Sequence, residues 1–333
     1  MAELSTQISE DEAALYDRQI RLWGLDAQKK LRSSRVLLVG VKGLGAEVAK
    51  NIILAGIKSL TLLDSENVSA EDLCSQFLVL SSHLGQNRAE SSVAQAQQLN
   101  PMVDVKADSE SLSQKADGFL LNFDVVIMTN SRKEEMIRVD SFCRKNNLKF
   151  FAGDVFGFFG YSFEDLHNYT FVEEVKGYFD ENDTKQKEQQ TKLMKKTLTF
   201  SSLQAALEKD WSTEDSSHQM KTLSSSYLIL RTLLQFCSTK GRRPALSNSN
   251  EDSTNLCSLN DQLLEDIGMS KDRVNTKIFW SVYAELSPVC AIVGGVLAQE
   301  VIKAVSCKDT PHNNFFFYNA MEDSGIVELV GNN

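Results

Sequence analysis

The sequence predicts an α/β protein built on a doubly wound, mostly parallel sheet of the Rossmann type. Apolar runs typical of buried parallel strands alternate with helical segments between residues 36 and 152. A glycine-rich loop also joins the first apolar run to the helix that follows it. Together these observations predict βαβ units in one sheet, with helices on both of its faces.

The first predicted element is a helix. Ser9 and Glu12 have the spacing of a capping box, and the apolar side chains that follow recur at i, i+4 and i+7. These apolar residues are Tyr16, Ile20 and Trp23. A second short helix leads from Gly24 to Arg35, where the first strand begins.

The remaining elements follow from apolar runs, helix caps and breakers. Strands are predicted at 36–39, 60–63, 103–105, 124–128, 149–152, 156–160, 314–318 and 326–330. Helices are predicted at 43–55, 87–99, 133–145 and 287–304. The last helix should have Ser287 as its cap and Pro288 at its first position, and the glycine pair Gly294-Gly295 should let another backbone approach closely.

The alternation of strands and helices is interrupted at residues 166–269, which we predict to form an insertion in the α/β domain. Short helices are expected at 203–209 and 224–236. Polar, charged stretches predict mobile loops near 175–195 and 239–255. The main domain would then comprise residues 1–165 and 270–333, with a mostly helical insertion between them.

Composition excludes several classes of function. The chain has 333 residues and a formal net charge of -10, so nucleic acid is not an expected partner. Its longest apolar stretch contains Gln299, Glu300 and Lys303, which argues against a membrane span. The six cysteines form no CxxC pair, so they are expected to be reduced thiols in an intracellular protein, and no metal site is predicted.

The strongest local signal is the glycine loop between the first strand and its helix. Gly40, Gly43 and Gly45 would allow a tight turn, and amides at the helix N-terminus attract phosphate. Asp64 ends the next strand, where an acid can reach a ribose hydroxyl. The pattern alone fits a nucleotide site, a dinucleotide oxidoreductase or a loop that keeps only the fold.

Longer motifs distinguish these possibilities, because they resemble the adenylation domains of ubiquitin-like-protein activating enzymes. The segment 16–24, YDRQIRLWG, resembles the signature that opens those domains. The resemblance continues through 40–64, 84–90, 153–161, 288–303 and 311–318, which is nearly the whole chain outside 175–255. It implies the ThiF-like adenylation fold, and it is greatest to the smaller, regulatory subunits of heterodimeric members that activate SUMO.

In the family, the Rossmann site binds MgATP and the C-terminal glycine carboxylate of the modifier attacks the α-phosphate. This chain departs from the active pattern at three positions. Ser75 replaces a phosphate-contacting arginine, Arg88 stands at the usual phosphate lysine, and Asn130 replaces the magnesium-binding aspartate. The resemblance therefore implies a vestigial site (Gly40, Gly43, Gly45, Asp64, Arg88 and Asn130) that binds no functional cofactor.

The same resemblance implies a role for Arg18. In the family, the arginine of this N-terminal helix reaches into the partner's nucleotide site, in the manner of an arginine finger. The partner would be the larger, catalytic subunit, which would hold MgATP, contact SUMO and form the thioester. No cysteine here matches the family's conjugating cysteine, Arg21 is expected to be structural, and the implied location is the nucleus, with the cytoplasm as the alternative.

Three alternatives remain open at the level of the sequence. A self-sufficient adenylyltransferase would need the carboxylate that Asn130 replaces. An oxidoreductase would use Asp64 as its ribose ligand. A purely scaffolding subunit would share every feature except the role of Arg18.

Overall fold

The computed structural model describes residues 9–177, 190–209, 211 and 222–331. Its helices are α1 (Glu10–Leu15), α2 (Asp17–Trp23), α3 (Leu25–Ser33), α4 (Gly43–Leu54), α5 (Arg88–Leu99), α6 (Lys133–Lys145), α7 (Leu203–Leu207), α8 (Ser225–Lys240), α9 (Ser249–Asp266) and α10 (Ser287–Ser306). Its strands are β1 (Arg35–Val39), β2 (Ser59–Leu63), β3 (Asp104–Asp108), β4 (Val125–Thr129), β5 (Lys149–Phe156), β6 (Phe159–Asp165), β7 (Asn168–Gly177), β8 (Gln190–Thr199), β9 (Phe315–Asn319) and β10 (Ser324–Glu328).

Eight of the strands form one sheet in the order β10-β9-β6-β5-β4-β1-β2-β3. The five strands from β5 to β3 pair in parallel. Alternate residues of β1 face different cores: Leu37 belongs to the core on one face of the sheet and Leu38 to the core on the other. The predicted doubly wound α/β sheet is therefore confirmed.

The other edge of the sheet is antiparallel, which the strand predictions did not specify. β5 continues to Phe156, beyond the predicted end at 152, and turns into β6 at Gly157. Gly157 has φ +59°, and a Cβ there would collide with the Ser281 carbonyl. Glycine therefore makes this hairpin possible, and β9 and β10 extend it to the sheet edge.

Helix α10 packs against α4 on one face of the sheet. A Cβ at Gly294 would lie 2.7 Å from the Glu47 Cβ, so this glycine permits the close approach that the sequence predicts. Gly295 has no neighbour within 4 Å and does not contribute to it. The helix is long and apolar enough to cross a membrane, but 67% of its apolar window is buried inside the protein, as in a core helix.

The start of α10 differs by one residue from the prediction. Leu286 is the N-cap and makes no side-chain cap, whereas Ser287 is the first helical residue. The Ser287 hydroxyl donates instead to the Cys74 carbonyl at 3.0 Å. This contact ties the helix start to the segment that follows β2.

The predicted loops of the insertion need correction. β7 and β8 form an antiparallel hairpin that takes up part of the expected loop near 175–195, and residues 178–189 lie outside the described part. The loop predicted at 239–255 is wrong over its second half, because α9 begins at Ser249. Buried Leu256 and Asp252 explain that helix: the first packs into the core, and the second accepts both Arg242 nitrogens at 2.7 and 2.8 Å.

A buried carboxyl on α6 predicts a pH-dependent stability. Burial and the neighbouring Asp165 raise the pKa of Asp140 to about 8. In the unfolded chain that pKa is about 4, so the folded state holds an extra proton between these values. The contribution of Asp140 to the free energy of unfolding is therefore fully present below about pH 4. It falls as the pH rises toward 8, by at most about 1.4 kcal/mol per pH unit.

The Asp140→Asn variant should lack this slope, because an amide keeps the acceptor that the Leu203 amide uses at 2.8 Å but does not titrate. Urea unfolding of both proteins at pH 5, 6, 7 and 8 measures the difference. Asp104→Asn, at an exposed side chain, is the matched control and should retain the wild-type slope. Parallel pH profiles for Asp140→Asn and wild type would contradict the expectation.

Candidate functional site

The predicted site residues meet at the carboxyl ends of the central strands. β1 lies between β2 and β4. From β1 the chain adds β2 and β3 in one direction along the sheet, and it then returns to add β4 and β5 in the opposite direction. Such a switch point leaves a crevice where α/β proteins bind ligands. Gly40 follows β1, Asp64 follows β2 and Asn130 follows β4, so the structure brings together residues that are far apart in sequence.

The glycine loop has the geometry that its sequence predicts. Gly40 has φ +84°, and a Cβ at this position would collide with the Thr129 carbonyl. A Cβ at Gly45 would collide with the Gly40 carbonyl. Thr129 also donates its hydroxyl hydrogen to the Gly40 carbonyl at 2.7 Å. The glycines are therefore required by close backbone packing between β1, β4 and the start of α4.

Asp64 and Arg88 are buried together in an ion-pair cluster that also includes Asp72. Arg88 donates from Nη1 to Asp64 Oδ2 at 2.8 Å and from Nε to Asp72 Oδ2 at 3.1 Å. Burial alone would lower the pKa of Arg88, but Asp64 and Asp72 raise it. The guanidinium is thus committed to two carboxylates, and Asp64 Oδ2 also accepts the Val41 amide at 2.9 Å.

A carboxylate of this chain lies where the loop would attract phosphate. The Gly43 amide, at the N-terminus of α4, donates to Glu285 Oε2 at 2.6 Å. A Cβ at Gly43 would lie 2.6 Å from the Ser75 hydroxyl and 2.8 Å from Glu285 Oε2, which shows how closely both side chains approach. Burial raises the pKa of Glu285, and an added anion at this amide would have to displace its carboxyl group.

Asn130 is also held by a side chain of this chain. Arg243 donates from Nη1 to Asn130 Oδ1 at 2.8 Å, pairs with buried Asp154, and donates from Nη2 to the Val155 carbonyl at 2.6 Å. Its guanidinium carbon lies 4.1 Å from the centre of the Phe156 ring. Asn130 itself has φ +52°, a conformation that asparagine tolerates better than most residues.

Sequence reasoning missed both Glu285 and Arg243. A cavity of about 440 Å³ remains here, and its lining includes Lys42, Asn130, Arg132 and Arg243. The paired basic residues Arg242 and Arg243 within a polar stretch were the only sequence signal for a charged contact. That signal does not say which strand end the arginines reach.

Arg18 lies apart from this crevice, on α2. Its side chain is exposed and makes no hydrogen bond or ion pair with the part of the chain that the structure describes. Arg21, one helical turn later, forms an exposed pair with Asp17 at 2.9 Å. The two arginines therefore differ: Arg21 has a partner on its own helix, whereas Arg18 is available to another molecule.

The backbone beneath Arg18 is firmly held. The capping box of Ser9 and Glu12 is present, and Glu12 pairs with Arg32 at 2.8 Å. Tyr16 is buried against Gly56, where a Cβ would lie 2.5 Å from the Tyr16 ring carbon Cζ. Its hydroxyl also accepts Asn100 Nδ2 at 2.8 Å.

The cysteines do not form a nucleophilic site among the described residues. All six are free thiols. Burial raises the pKa of Cys143 and Cys290 well above the usual range and that of Cys237 to about 11, so these thiols stay protonated near neutral pH. Cys74 is exposed, and within the described ranges its Sγ has one hydrogen bond, to the Ala70 carbonyl at 4.0 Å.

Comparisons with known proteins identify relatives over nearly the whole chain. The model of the ThiF family matches residues 16–330. SUMO-activating enzyme subunit 1 of Homo sapiens is 48% identical over 334 aligned residues, which span 97% of this chain and 96% of the relative. The Danio rerio protein of the same name is 49% identical, with the same coverage of both chains.

A solved structure supports the fold independently. The crystal structure of E. coli MccB with succinimide superposes with a TM-score of 0.57 and covers 98% of this chain and 73% of that one. The two sequences are 13% identical, so this likeness concerns the fold alone. Taken with the family match and the close relatives, it shows that the chain belongs to the ThiF family, as a relative of the first subunits of SUMO-activating enzymes.

Proposed function

We propose that this chain is the regulatory, non-thioester subunit of a heterodimeric SUMO-activating enzyme. The larger subunit would bind MgATP, adenylate the C-terminal glycine of SUMO and form the thioester on its own cysteine. The proposal rests on the crevice beside Gly43. There Glu285 accepts the Gly43 amide and Arg243 donates to Asn130, and these are the groups that a nucleotide and its magnesium ion would need. Close identity to proteins named subunit 1 of this enzyme supports the assignment.

The residues at the crevice do not fit MgATP. Glu285 already accepts the loop amide that would face a phosphate, so a phosphate would have to displace this buried carboxyl group. Asn130 offers a neutral amide where a magnesium ligand is expected, and Arg243 donates to its oxygen. Arg88, the remaining candidate for phosphate, is bound by Asp64 and Asp72. We therefore derive no catalytic step at this site.

Arg18 is the residue of this chain that we assign to the reaction. An exposed guanidinium that has no partner among the described residues can lie against the triphosphate of the larger subunit's site, where its delocalised charge would stabilise the transferring phosphates. The helix that carries it is fixed by Tyr16 and Glu12. Arg18 therefore lies on a helix that is held in place, and its guanidinium has no partner among the described residues.

The surface around Arg18 also supports a partner. Exposed apolar side chains occur on the N-terminal helices, with Leu15 57%, Leu22 71% and Leu25 45% exposed. Leu54, at the end of α4, is 44% exposed, and its carbonyl accepts Gln19 of α2 at 3.0 Å. Exposed apolar side chains of this kind support an interface that includes the N-terminal helices. Two related domains would pair there about an approximate two-fold axis.

The resemblance also leads us to place the protein in the nucleus. SUMO would be contacted mainly through the larger subunit. The free thiols of this chain fit a reducing compartment. The net charge of -10 gives no support to a nucleic-acid partner.

ATP–pyrophosphate exchange tests the proposal. The full chain alone should show no exchange and no MgATP binding in equilibrium dialysis, whereas its complex with the larger subunit should exchange in a SUMO-dependent way. A complex whose larger subunit has a disabled nucleotide site is the control and should be inactive. Exchange by the isolated chain, or by that control complex, would show that the crevice of this chain is an active site.

A further inference from the structure

Three metal-ligating side chains meet far from the crevice and from Arg18. They are Glu164 on β6, Glu300 on α10 and His312 in the segment before β9. One ligand atom from each lies within 4.8 Å of the other two. Glu164 is 3% exposed and Glu300 2% exposed, so two carboxylates share a dry environment.

The two carboxylates differ in their partners. Glu300 Oε1 accepts Lys303 Nζ at 2.7 Å, and Oε2 accepts the His312 amide at 2.8 Å. Both oxygens of Glu164 are buried and have no hydrogen-bond partner within the described ranges. Lys303 can balance one negative charge, so the second carboxylate at this place lacks a counter-charge.

The backbone fixes Glu164 in this position. Its amide donates to the Asn314 carbonyl at 3.0 Å, and its Cα lies opposite Phe151 in the β5–β6 ladder. Strand pairing therefore prevents the side chain from turning to the surface by a change of register. An unsatisfied buried carboxylate held this way points to an occupant that the protein chain does not itself supply.

His312 provides the third group. Its Nε2 lies 3.6 Å from Glu300 Oε1, and its Nδ1 is buried without a hydrogen-bond partner among the described residues. The ring stacks on Phe316, with the ring centres 6.0 Å apart. The side chain is 28% exposed, which gives an ion a route from solvent to the two glutamates.

We propose that Glu164, Glu300 and His312 form a zinc-binding site. Carboxylate oxygen and imidazole nitrogen are ordinary Zn²⁺ ligands, and three protein ligands leave a fourth position for water. Bonds of about 2.0–2.2 Å in a tetrahedron place ligand atoms about 3.3 Å apart. The three atoms, now within 4.8 Å, need to close by no more than about 1.5 Å. The two positive charges of Zn²⁺ would balance the two carboxylates, while Lys303 remains paired with Glu300.

A proton is the competing occupant. Burial and the nearby charge of Glu300 raise the pKa of Glu164 well above its usual range. A protonated Glu164 would satisfy the site without any metal. The experiment must therefore separate a site that binds zinc from one that merely stays neutral.

The test uses the full chain after removal of metal with a chelator. Zn²⁺ added in calorimetry should bind with one strong site per chain and should raise the melting temperature. Glu164→Gln, which keeps the shape and removes the charge, should weaken this binding at least tenfold, and His312→Ala should do the same. Glu110→Gln changes an acid that is 68% exposed and should bind zinc as the wild type does.

Co²⁺ identifies the ligands, because the six cysteines could also bind metal. Binding at the proposed site should give d–d bands without the strong thiolate charge-transfer absorption, and those bands should disappear in Glu164→Gln. Anomalous scattering at the zinc edge should place the ion between Glu164 and His312. Absence of a strong site, a thiolate spectrum, or equal affinity of Glu164→Gln and wild type would overturn the proposal.

Discussion

Replacing Arg18 by alanine should lower SUMO adenylation by the reconstituted heterodimer about tenfold or more, without separating the subunits. The reason is the loss of a delocalised positive charge that we place against the partner's triphosphate. Arg18 is exposed and has no partner within the described ranges, so its removal leaves the fold of this chain intact. ATP–pyrophosphate exchange measures the rate, and size-exclusion chromatography checks that the dimer persists.

Arg21→Ala provides the matched control, because it removes an arginine from the same helix. Arg21 is 78% exposed and pairs with Asp17, and such surface pairs contribute little to stability. We expect exchange within about twofold of wild type for this variant. An unchanged rate in Arg18→Ala would refute the trans-acting role and favour a purely scaffolding subunit.

The second large effect concerns stability. Arg88→Ala should destabilise the chain by about 3–5 kcal/mol, because it leaves Asp64 and Asp72 buried without their cation. The side chains of these two acids are only 6% and 3% exposed, so water cannot replace the guanidinium easily. Urea unfolding of the full chain at neutral pH measures the loss.

Arg35→Ala is a suitable comparison. Arg35, unlike Arg88, pairs with a single aspartate, and that pair is partly exposed. Both side chains of the Arg35–Asp124 pair are 41% exposed, and we expect a loss of about 1 kcal/mol or less. A similarly small loss in Arg88→Ala would mean that Arg88 is not a structural cation and is free to act as a ligand. Stability must accordingly be measured before any activity change in Arg88 variants is interpreted.

The local elements could be predicted well where periodicity and end signals agree. α6 spans Lys133–Lys145, which are the predicted bounds, because its apolar stripe is flanked by acids at the start and bases at the end. α9 was missed because its first turn contains several Ser and Asn residues, which are typical of loops. There, the tertiary contact between Asp252 and Arg242 outweighs local preference.

The candidate site could be predicted only in part. The strand ends place Gly40, Asp64 and Asn130 together, since parallel strands present their carboxyl ends at one edge. The partners of these residues could not be predicted, because Gly43 and Glu285 are 242 positions apart and Asn130 and Arg243 are 113 apart. No local pattern specifies contacts over such separations, and they decide whether the loop meets a nucleotide or a side chain.

The anchoring of Tyr16 affects how Arg18 can meet another protein. Its ring packs on Gly56 and its hydroxyl accepts Asn100, so α2 is fastened to the body of this chain before any association. A segment that folds only on binding must lose its conformational entropy at that moment, which weakens the complex. Here that loss has already occurred during folding. In the heterodimer that we propose, association would therefore not have to order the α2 backbone, and Arg18 would reach the partner on a helix that the fold of this chain has already positioned.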